Sequence, residues 1–297
     1  MTQFSIVITS FNQCDYVTEA IRSALDQTLP AKEIIVVDDC SSDGTPQVLD
    51  EFAGTITVIV NATNRGANES RNIAAARATG DYLVFLDGDD LFCRETLAVY
   101  HRLIANRCPD LLLSLIQFFS TTNPVRNIQP GEPIQFVEYP RLMLKDRTFN
   151  SSVSAIVVKR TAFERAGGWT SVFPCEDSDL FLRAGVSGTT VQILSPATVL
   201  KRVHGENITH NVVAMTNGLI KVIDNEHAGK YTGETAYARY CFIGGPAFSW
   251  LKACLSARAY STGIKLFWMS WLMVAAAIFH KLVRTITGKV PVQHATL

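Results

Sequence analysis

Two common phosphate-binding motifs are missing from this sequence of 297 residues. It contains neither Gly-x-Gly-x-x-Gly, which holds the pyrophosphate of a dinucleotide, nor Gly-x-x-x-x-Gly-Lys, the P-loop of many nucleotide-binding proteins. Cys-x-x-Cys is also absent, and the seven cysteines follow no paired spacing. We therefore expect reduced thiols in a cytosolic compartment, and neither a P-loop nor a dinucleotide fingerprint as the basis of function.

Acidic residues are missing from the C-terminal part of the chain. Residues 235–297 contain seven Lys or Arg and no Asp or Glu, whereas residues 1–234 contain 20 basic and 27 acidic residues. The net charge of the whole chain is zero, which does not indicate nucleic acid as a partner. The basic tail favours an acidic partner such as a membrane surface. Because Met1 leads straight into an apolar segment, we expect no signal peptide and a cytoplasmic location.

The most informative stretch is an apolar run that ends in carboxylates. Residues 82–86 have the composition of a strand buried on both faces, and Asp87, Asp89 and Asp90 follow it. Open α/β sheets bind ligands at the carboxyl ends of their strands, and crowded carboxylates suit a hard divalent cation, Mg²⁺ or Mn²⁺. The alternative is a solvated turn that caps the next helix, a role that suits Asp90 in particular.

Strands and helices alternate over the first ~90 residues, which predicts a doubly wound, mostly parallel α/β sheet. The strand ends would bring Thr9, Asp39 and Asp87 to one edge of that sheet. Strands are predicted at 4–10, 33–39, 56–60, 82–86, 111–119, 152–159, 191–194 and 198–203, with a loop at 121–133. From about residue 215 the pattern is helical. We expect a sheet domain over residues 1–210 and a helical extension over residues 211–297.

Several short motifs resemble those of family 2 glycosyltransferases, in the order and spacing of that family. They are residues 5–12 (SIVITSFN), residues 36–45 (VVDDCSSDGT), Asn64-Arg65-Gly66, Ser70-Arg71-Asn72, Asp87-Gly88-Asp89-Asp90, Gly167-Gly168-Trp169, Glu176-Asp177 and Arg183. The resemblance covers roughly residues 4–210. It implies a GT-A fold and the inverting transfer of a sugar from a nucleoside diphosphate sugar to an acceptor hydroxyl.

The same resemblance implies where the nucleotide binds. Asp39 would accept a hydrogen bond from the N3–H of a pyrimidine base, with Thr9 and Phe11 lining the base pocket. The family often has Tyr where Phe11 stands, so base stacking is kept and a hydroxyl contact is lost. Uracil and thymine share the N3–H, so UDP and dTDP donors both remain open. Arg71 would face the diphosphate, its alternative being a solvated helix arginine.

The metal ligands follow from the same resemblance. Asp89 would bind the divalent metal directly, with Asp87 close to the metal or the ribose. His204 resembles part of a loop that closes over the diphosphate in some members, and a neutral histidine can be a third ligand. The alternative for His204 is a structural histidine.

The resemblance also implies that the pair Glu176-Asp177 is catalytic, with Asp177 as the base that takes the proton of the acceptor hydroxyl. Glu176 and Trp169 would contact substrate. The alternative for the two acids is a favourable charge in the first turn of a helix. Asp179 and Arg183 are four residues apart, and we expect them to pair on the surface of that helix.

Two other classes of function compete with a transferase that moves one sugar to a glycan or a lipid-linked acceptor. A sugar-phosphate nucleotidyltransferase also uses an α/β sheet and paired aspartates, but it typically has a glycine-rich N-terminal loop, which residues 4–15 lack. An inactive nucleotide-sugar-binding module is disfavoured by intact Asp89 and Asp177. Processive synthases of the family carry Gln-x-x-Arg-Trp and several spanning helices, and neither feature is present.

The tail contains an uncharged apolar run at residues 266–279, which is shorter than the ~20 residues of a spanning helix. Trp268 and Trp271 suit a headgroup boundary, and Lys281 and Arg284 follow the run directly. We expect a helix that lies on the cytoplasmic leaflet. The alternative is a helix buried against residues 242–255 as part of a small all-α unit.

Overall fold

The computed structural model describes residues 2–120, 128–129, 131–139, 152–184, 189–205, 207–232, 235–288 and 291–296. Most of the loop predicted at 121–133 therefore lies outside the described residues. Within them, the chain forms a large α/β sheet with helices on both faces, a small second sheet and a C-terminal group of three helices.

The first four strands are parallel and stand side by side in the order β3-β2-β1-β4. They are β1 (Phe4–Ser10), β2 (Glu33–Asp38), β3 (Thr57–Val60) and β4 (Tyr82–Asp87), linked by α1 (Val17–Leu25), α2 (Thr45–Asp50) and α3 (Ala67–Arg77). In the register of β1 and β4, Thr9 lies opposite Asp87. The carboxyl ends of β1, β2 and β4 are thus brought to one edge, as the alternation of strands and helices predicted.

The rest of the large sheet mixes both directions. After β5 (Leu91–Phe92) and α4 (Thr96–Arg107) come β6 (Leu111–Leu113), β7 (Ile116–Phe119), β8 (Pro133–Tyr139), β9 (Ile156–Lys159), α5 (Arg160–Arg165), α6 (Glu176–Ala184), β10 (Thr190–Ser195) and β11 (Val199–Arg202). β9 lies between β4 and β6 and is antiparallel to both, whereas β6 and β10 are parallel. β8 is antiparallel to β10.

One predicted strand was wrong in its extent. The segment 111–119 is not a single strand but two, because β6 joins the large sheet while β7 pairs with β11 in the small sheet β5-β11-β7. The short sheet places β11 and the residues that follow it beside the end of β4. The strand predicted from residue 152 begins at Ile156, after a 3₁₀ turn at Val153–Ala155.

The C-terminal part consists of α7 (Val212–His227), α8 (Ala236–Ser256) and α9 (Tyr260–Thr287), followed by β12 (Gln293–Thr296). β12 was not predicted, and it pairs antiparallel with β8 at the edge of the large sheet. Residues 211–297 are therefore not purely helical.

Apolar side chains cover both faces of the large sheet. In β1, Ile6 and Ile8 pack toward α1 and α4, while Val7 joins the opposite core with Phe85 and residues of α3. Phe242 of α8 and Met273 of α9 belong to that second core. The predicted α/β class, with a mostly parallel sheet and a C-terminal helical region, is confirmed. The division at residue 210 stays a prediction, since the two parts share one core.

Candidate active site

A cavity of about 420 Å³ opens at the carboxyl ends of β1, β2 and β4. Most of the residues predicted to bind substrate or metal line it. The lining residues are Thr9, Ser10, Phe11, Asn12, Gln13, Tyr16, Asp39, Asn64, Gly66, Ala67, Arg71, Asp87, Asp89, Phe173, Glu176, Lys201, His204, Asn207, Ile208 and Thr209. Asp177 and Trp169 are the two predicted site residues outside this lining.

Asp39 is held at one end of the cavity by hydrogen bonds. Its Oδ1 accepts from Asn61 Nδ2 and from the Arg65 amide, both at 2.8 Å, and its Oδ2 accepts from the Gly66 amide at 2.7 Å. Burial acts to raise the pKa of Asp39, but these donors hold it below the usual value. Phe11, which is 46% exposed, lines the same cavity.

Arg71 borders the cavity and lies between two carboxylates. Its Nη2 is 2.8 Å from Asp87 Oδ1, and its Nη1 is 3.4 Å from Glu176 Oε1. Burial opposes the charge on the guanidinium, yet the two carboxylates raise the pKa of Arg71 above its usual value. Arg71 is therefore not the solvated helix arginine that was the alternative, and its contact with a diphosphate stays a prediction. Arg71 is a buried cation that links β4 to α6 and still borders the cavity.

Trp169 does not lie on the cavity wall. Its ring is 3% exposed and packs edge-on against Phe85 at 5.1 Å between centroids, with the Arg71 guanidinium 5.4 Å from its own centroid. The ring thus lies in the core, and the expected substrate contact of Trp169 stays a prediction. The Trp169 ring packs against the Arg71 guanidinium.

Asp90 is fully buried. The sequence favoured a role for Asp90 as a cap of the next helix, and the structure does not show that role. Its Oδ2 accepts from Ser154 Oγ at 2.6 Å and lies 3.2 Å from Lys201 Nζ, while Oδ1 accepts from the Arg202 amide at 3.0 Å. Burial raises the pKa of Asp90 to about 7, against the opposing effect of Lys201. Asp90 thus joins the end of β4 to β11.

Lys201 was not identified from the sequence. It lines the cavity, and its Nζ lies 4.0 Å from Asp87 Oδ2 as well as 3.2 Å from Asp90. Although burial acts in the opposite direction, these carboxylates raise the pKa of Lys201, so the ammonium stays charged. No local pattern around residue 201 signals this position, because it depends on the pairing of β11 in the small sheet.

His204 lies beside the predicted metal ligand Asp89. Its Nε2 is 2.8 Å from Asp89 Oδ2, and its ring stacks on Tyr16 with 5.2 Å between centroids. The loop after β11 turns back through Asn207, whose Oδ1 accepts from the His204 amide at 2.7 Å. The sequence did not identify Tyr16 or Asn207 as neighbours of His204.

The carboxylates at the end of β4 form a set that could hold a metal ion. One oxygen from each of Asp87, Asp89 and Asp90 lies within 4.8 Å of the others. Hard oxygen donors of this kind suit Mg²⁺ or Mn²⁺. Asp90 is the least suited member, since Ser154, Lys201 and the Arg202 amide already occupy its oxygens. Asp87 and Asp89 thus supply oxygen atoms that suit a divalent cation, and His204 contacts this pair through Asp89.

Glu176 and Asp177 are the first two residues of α6. Glu176 lines the cavity, and burial raises its pKa to about 7 despite the neighbouring Arg71. Asp177 is half-buried, and its Oδ1 accepts from the Ser178 amide at 2.7 Å. Among the described residues, no donor contacts its other oxygen, Oδ2.

Asp179 and Arg183 pair as predicted, but they lie inside the protein and not on the helix surface. Arg183 Nη2 is 2.7 Å from Asp179 Oδ2, and the carboxylate is 2% exposed. Asp179 also accepts from Tyr231 Oη at 2.6 Å, and Arg183 donates to the carbonyl oxygen of Gly168 at 2.7 Å. The pair fixes the turn before Trp169 and ties α6 to the segment after α7.

Known proteins resemble the part of this chain that supplies Thr9, Asp39, Arg71, Asp87 and Asp89 to the site. A family model described as glycosyl transferase family 2 matches residues 5–167, more than half of the chain. This chain belongs to glycosyltransferase family 2. The match includes every strand of the parallel half of the sheet and ends within the Gly167-Gly168-Trp169 motif.

The chain is similar to other members of family 2 over part of their length. The chain is 31% identical over 167 residues to the putative teichuronic acid biosynthesis glycosyltransferase TuaG of Bacillus subtilis, which covers 55% of this chain and 63% of that protein. The TarS protein of Staphylococcus aureus in complex with UDP-GlcNAc has a TM-score of 0.66 at 16% identity, covering 97% of this chain and 92% of that one. The mannosyltransferase PcManGT of Pyrobaculum calidifontis, in complex with GDP-Man and Mn²⁺, has a TM-score of 0.61 at 18% identity, covering 96% and 87%. At such identities the two structures show the fold alone, and the predicted GT-A fold is confirmed.

Proposed function

We propose that this protein is an inverting, metal-dependent hexosyltransferase that moves one sugar from a nucleoside diphosphate sugar, favoured as a UDP-sugar, to an acceptor hydroxyl. The observation that carries the proposal is the meeting of Asp39, the β4 carboxylates and the start of α6 around one cavity of about 420 Å³. A cavity of this size is suited to a small ligand of this kind. No glycine-rich loop is available to hold a diphosphate, so a cation and basic side chains must do so.

The base would bind at the Asp39 end, where Thr9, Phe11 and Asp39 line the cavity. Asp39 is ionised at neutral pH, because its donors keep its pKa low. An ionised carboxylate accepts hydrogen bonds only, which matches the N3–H of uracil or thymine. Phe11 offers an exposed ring for stacking on the base.

The diphosphate would lie between these residues and the end of β4. Asp89, Asp87 and His204 would hold Mn²⁺ or Mg²⁺, which when bound offsets the negative charge of the leaving diphosphate. Lys201 and Arg71 border the same space, and their pKa values are raised, so they keep positive charge there at neutral pH. Basic groups that the fold already holds in place stabilise developing charge more effectively than mobile water.

Asp177 would act as the general base. Its Oδ2 would accept the proton of the acceptor hydroxyl as that oxygen attacks C1 of the sugar, on the face opposite the leaving nucleotide. The new C–O bond forms as the bond to the diphosphate breaks, so the anomeric configuration inverts. Glu176 would stay paired with Arg71 and hold α6 against β4.

We place the reaction in the synthesis of cell-surface polysaccharide at the cytoplasmic face of a membrane, with a glycan or lipid-linked acceptor. The name of TuaG, a putative teichuronic acid biosynthesis glycosyltransferase, supports this assignment. The basic tail supports the membrane location. The identity of the sugar would be set by loops around the cavity.

The proposal is tested with UDP-, dTDP- and GDP-sugars in the presence of Mn²⁺. We expect one UDP- or dTDP-sugar to raise the melting temperature and to be turned over with release of the nucleoside diphosphate. Release of pyrophosphate from a nucleoside triphosphate and a sugar 1-phosphate would instead indicate a nucleotidyltransferase. Binding without any turnover, with a range of acceptors, would indicate an inactive nucleotide-sugar-binding module.

A further inference from the structure

The outward face of α9 is apolar over the whole length of the helix. Tyr260–Thr287 has 28 residues, and by length and composition it could cross a membrane, yet only 17% of its most apolar window is buried. The exposed face, named here the apolar face, consists of Ile264, Trp268, Trp271, Phe279, Leu282 and Ile286, which are 50% to 87% exposed. Their spacing places them on one side of the helix.

An ordinary surface helix turns its polar side to water, whereas α9 presents apolar side chains on its outward side as well as on its inward side. The inward side of α9 carries Leu266, Ser270 and Met273 against α8. The two backbones touch, since a Cβ on Gly244 would lie 2.0 Å from the carbonyl oxygen of Met273. α9 therefore packs against the protein without using the apolar face. An exposed apolar face of this kind is typical of a surface that binds an external partner.

The topology indicates that α9 does not cross a membrane by itself. α8 is anchored to the catalytic core, where Phe242 packs on Phe181 of α6 with 6.3 Å between ring centroids. After α9 the chain returns to the large sheet, because β12 pairs with β8. A single crossing would place β12 and β8 on opposite sides of the bilayer. α8 cannot supply a second crossing, since Ile243 and Ala247 are buried in the protein core.

Basic residues occur along α8, in the turn after it and near both ends of α9. Lys252 and Arg258 lie at the end of α8 and in the turn, Lys265 lies near the start of α9, and Lys281 and Arg284 lie near its end. Within the described part of the chain, none of these five has a carboxylate partner. A second copy of the chain packed on this face would bring like charges together, whereas anionic lipid headgroups would complement them.

We propose that α9 is a peripheral docking element that lies flat on an anionic membrane, with the apolar face in the headgroup and upper acyl region and the basic residues at the headgroups. The inference deepens the membrane location proposed above and rests on it. A helix with a strongly apolar face and basic flanks binds in this way without spanning. Docking would hold the catalytic cavity near the leaflet that carries a lipid-linked acceptor.

The test is flotation of the full-length protein with phosphatidylglycerol-containing vesicles and with pure phosphatidylcholine vesicles. We expect the wild type to float with the former, less so as salt rises, and to be released by alkaline carbonate. The variant Trp268→Ser/Trp271→Ser/Phe279→Ser should bind about tenfold more weakly or worse. Lys265→Gln/Lys281→Gln/Arg284→Gln should lose the preference for phosphatidylglycerol.

A matched control removes exposed apolar side chains elsewhere. Val60→Ser/Phe118→Ser changes residues that are 60% and 52% exposed on other elements, and it should float like the wild type. Wild-type flotation of the triple apolar variant would overturn the proposal, as would resistance of the wild type to carbonate. The proposal would also be overturned if the wild type formed a dimer without lipid and did not bind vesicles, while the triple apolar variant was a monomer. UDP binding, measured separately on each variant, reports on folding and on the nucleotide site independently of lipid binding.

Discussion

Arg71 Nη2 lies 2.8 Å from Asp87 Oδ1 in a buried ion pair that also reaches Glu176. Arg71→Met would leave two carboxylates without their shared cation. We expect a loss of roughly 3–5 kcal/mol in the free energy of unfolding, the usual cost of breaking a buried pair from one side. Arg77→Met, on the exposed side of the same helix, is the matched control and should stay within about 0.5 kcal/mol. Equal denaturation midpoints for the two variants would show that the pair does not stabilise the fold.

Glu176 predicts a particular dependence of stability on pH. Burial raises its pKa from 4.5 to about 7 in the folded protein, so the folded state binds its proton more tightly than the unfolded state does. The stabilisation is complete below pH 4.5 and is lost as pH rises through about 7. For this one group the change amounts to on the order of 3 kcal/mol.

Glu176→Gln keeps the shape and removes this titration. In urea unfolding between pH 4.5 and 8, the variant should lose less stability than the wild type as pH rises. At pH 8 we expect the variant to be the more stable protein. Parallel curves for the two proteins would contradict the raised pKa.

Asp177→Asn tests the general base. The substitution keeps the side-chain shape and removes its basicity, so turnover should fall by ~10²–10⁴. Nucleotide binding should change little, because Asp177 is not part of the cavity lining. Asp224→Asn, on the exposed side of α7, serves as the control. Turnover within a few-fold of wild type, or a product with retained anomeric configuration, would refute the assignment.

Gly244 and Gly245 give a matched pair of tests for the packing of α8 on α9. A Cβ at Gly244 would meet the Met273 carbonyl oxygen at 2.0 Å, whereas a Cβ at Gly245 would have no neighbour within 4 Å. Gly244→Ala should destabilise the protein by roughly 1–3 kcal/mol or more. Gly245→Ala should change stability much less, by about 1 kcal/mol or less, because alanine favours the helix while the following Pro246 disfavours a Cβ at this position. Thermal unfolding of both variants decides the point, and equal melting temperatures would argue against the close contact.

The parallel half of the sheet was predictable because its strands are short apolar runs that alternate with helices, and two of them, β2 and β4, end in carboxylates. Two parallel strands that are neighbours must bring those ends together, so the sequence alone was enough to place Thr9, Asp39 and Asp87 at one edge. The family motifs also identified Glu176 and Asp177, at the start of α6, as site residues.

The remaining parts of the site depend on long-range pairing, which local pattern does not encode. Lys201 and Asp90 meet because β11 enters a sheet of its own with β5 and β7. The split of residues 111–119 into two strands arises from the same sheet. The sequence predicted Asp179 on the helix surface from its spacing of four residues to Arg183. That spacing does not reveal that Tyr231, from a distant part of the chain, donates a hydrogen bond to Asp179.

The central claim is that Asp39 and Asp89 lie at two ends of one nucleotide-sugar site. Calorimetric titration of UDP, with Mn²⁺ and with EDTA, tests it most directly. We predict that the wild type binds more tightly with Mn²⁺, that Asp39→Asn weakens binding about tenfold or more in both buffers, and that Asp89→Ala loses the effect of Mn²⁺. Asp50→Asn, an exposed control, should match the wild type. Wild-type affinity and Mn²⁺ dependence in both site variants would contradict the account.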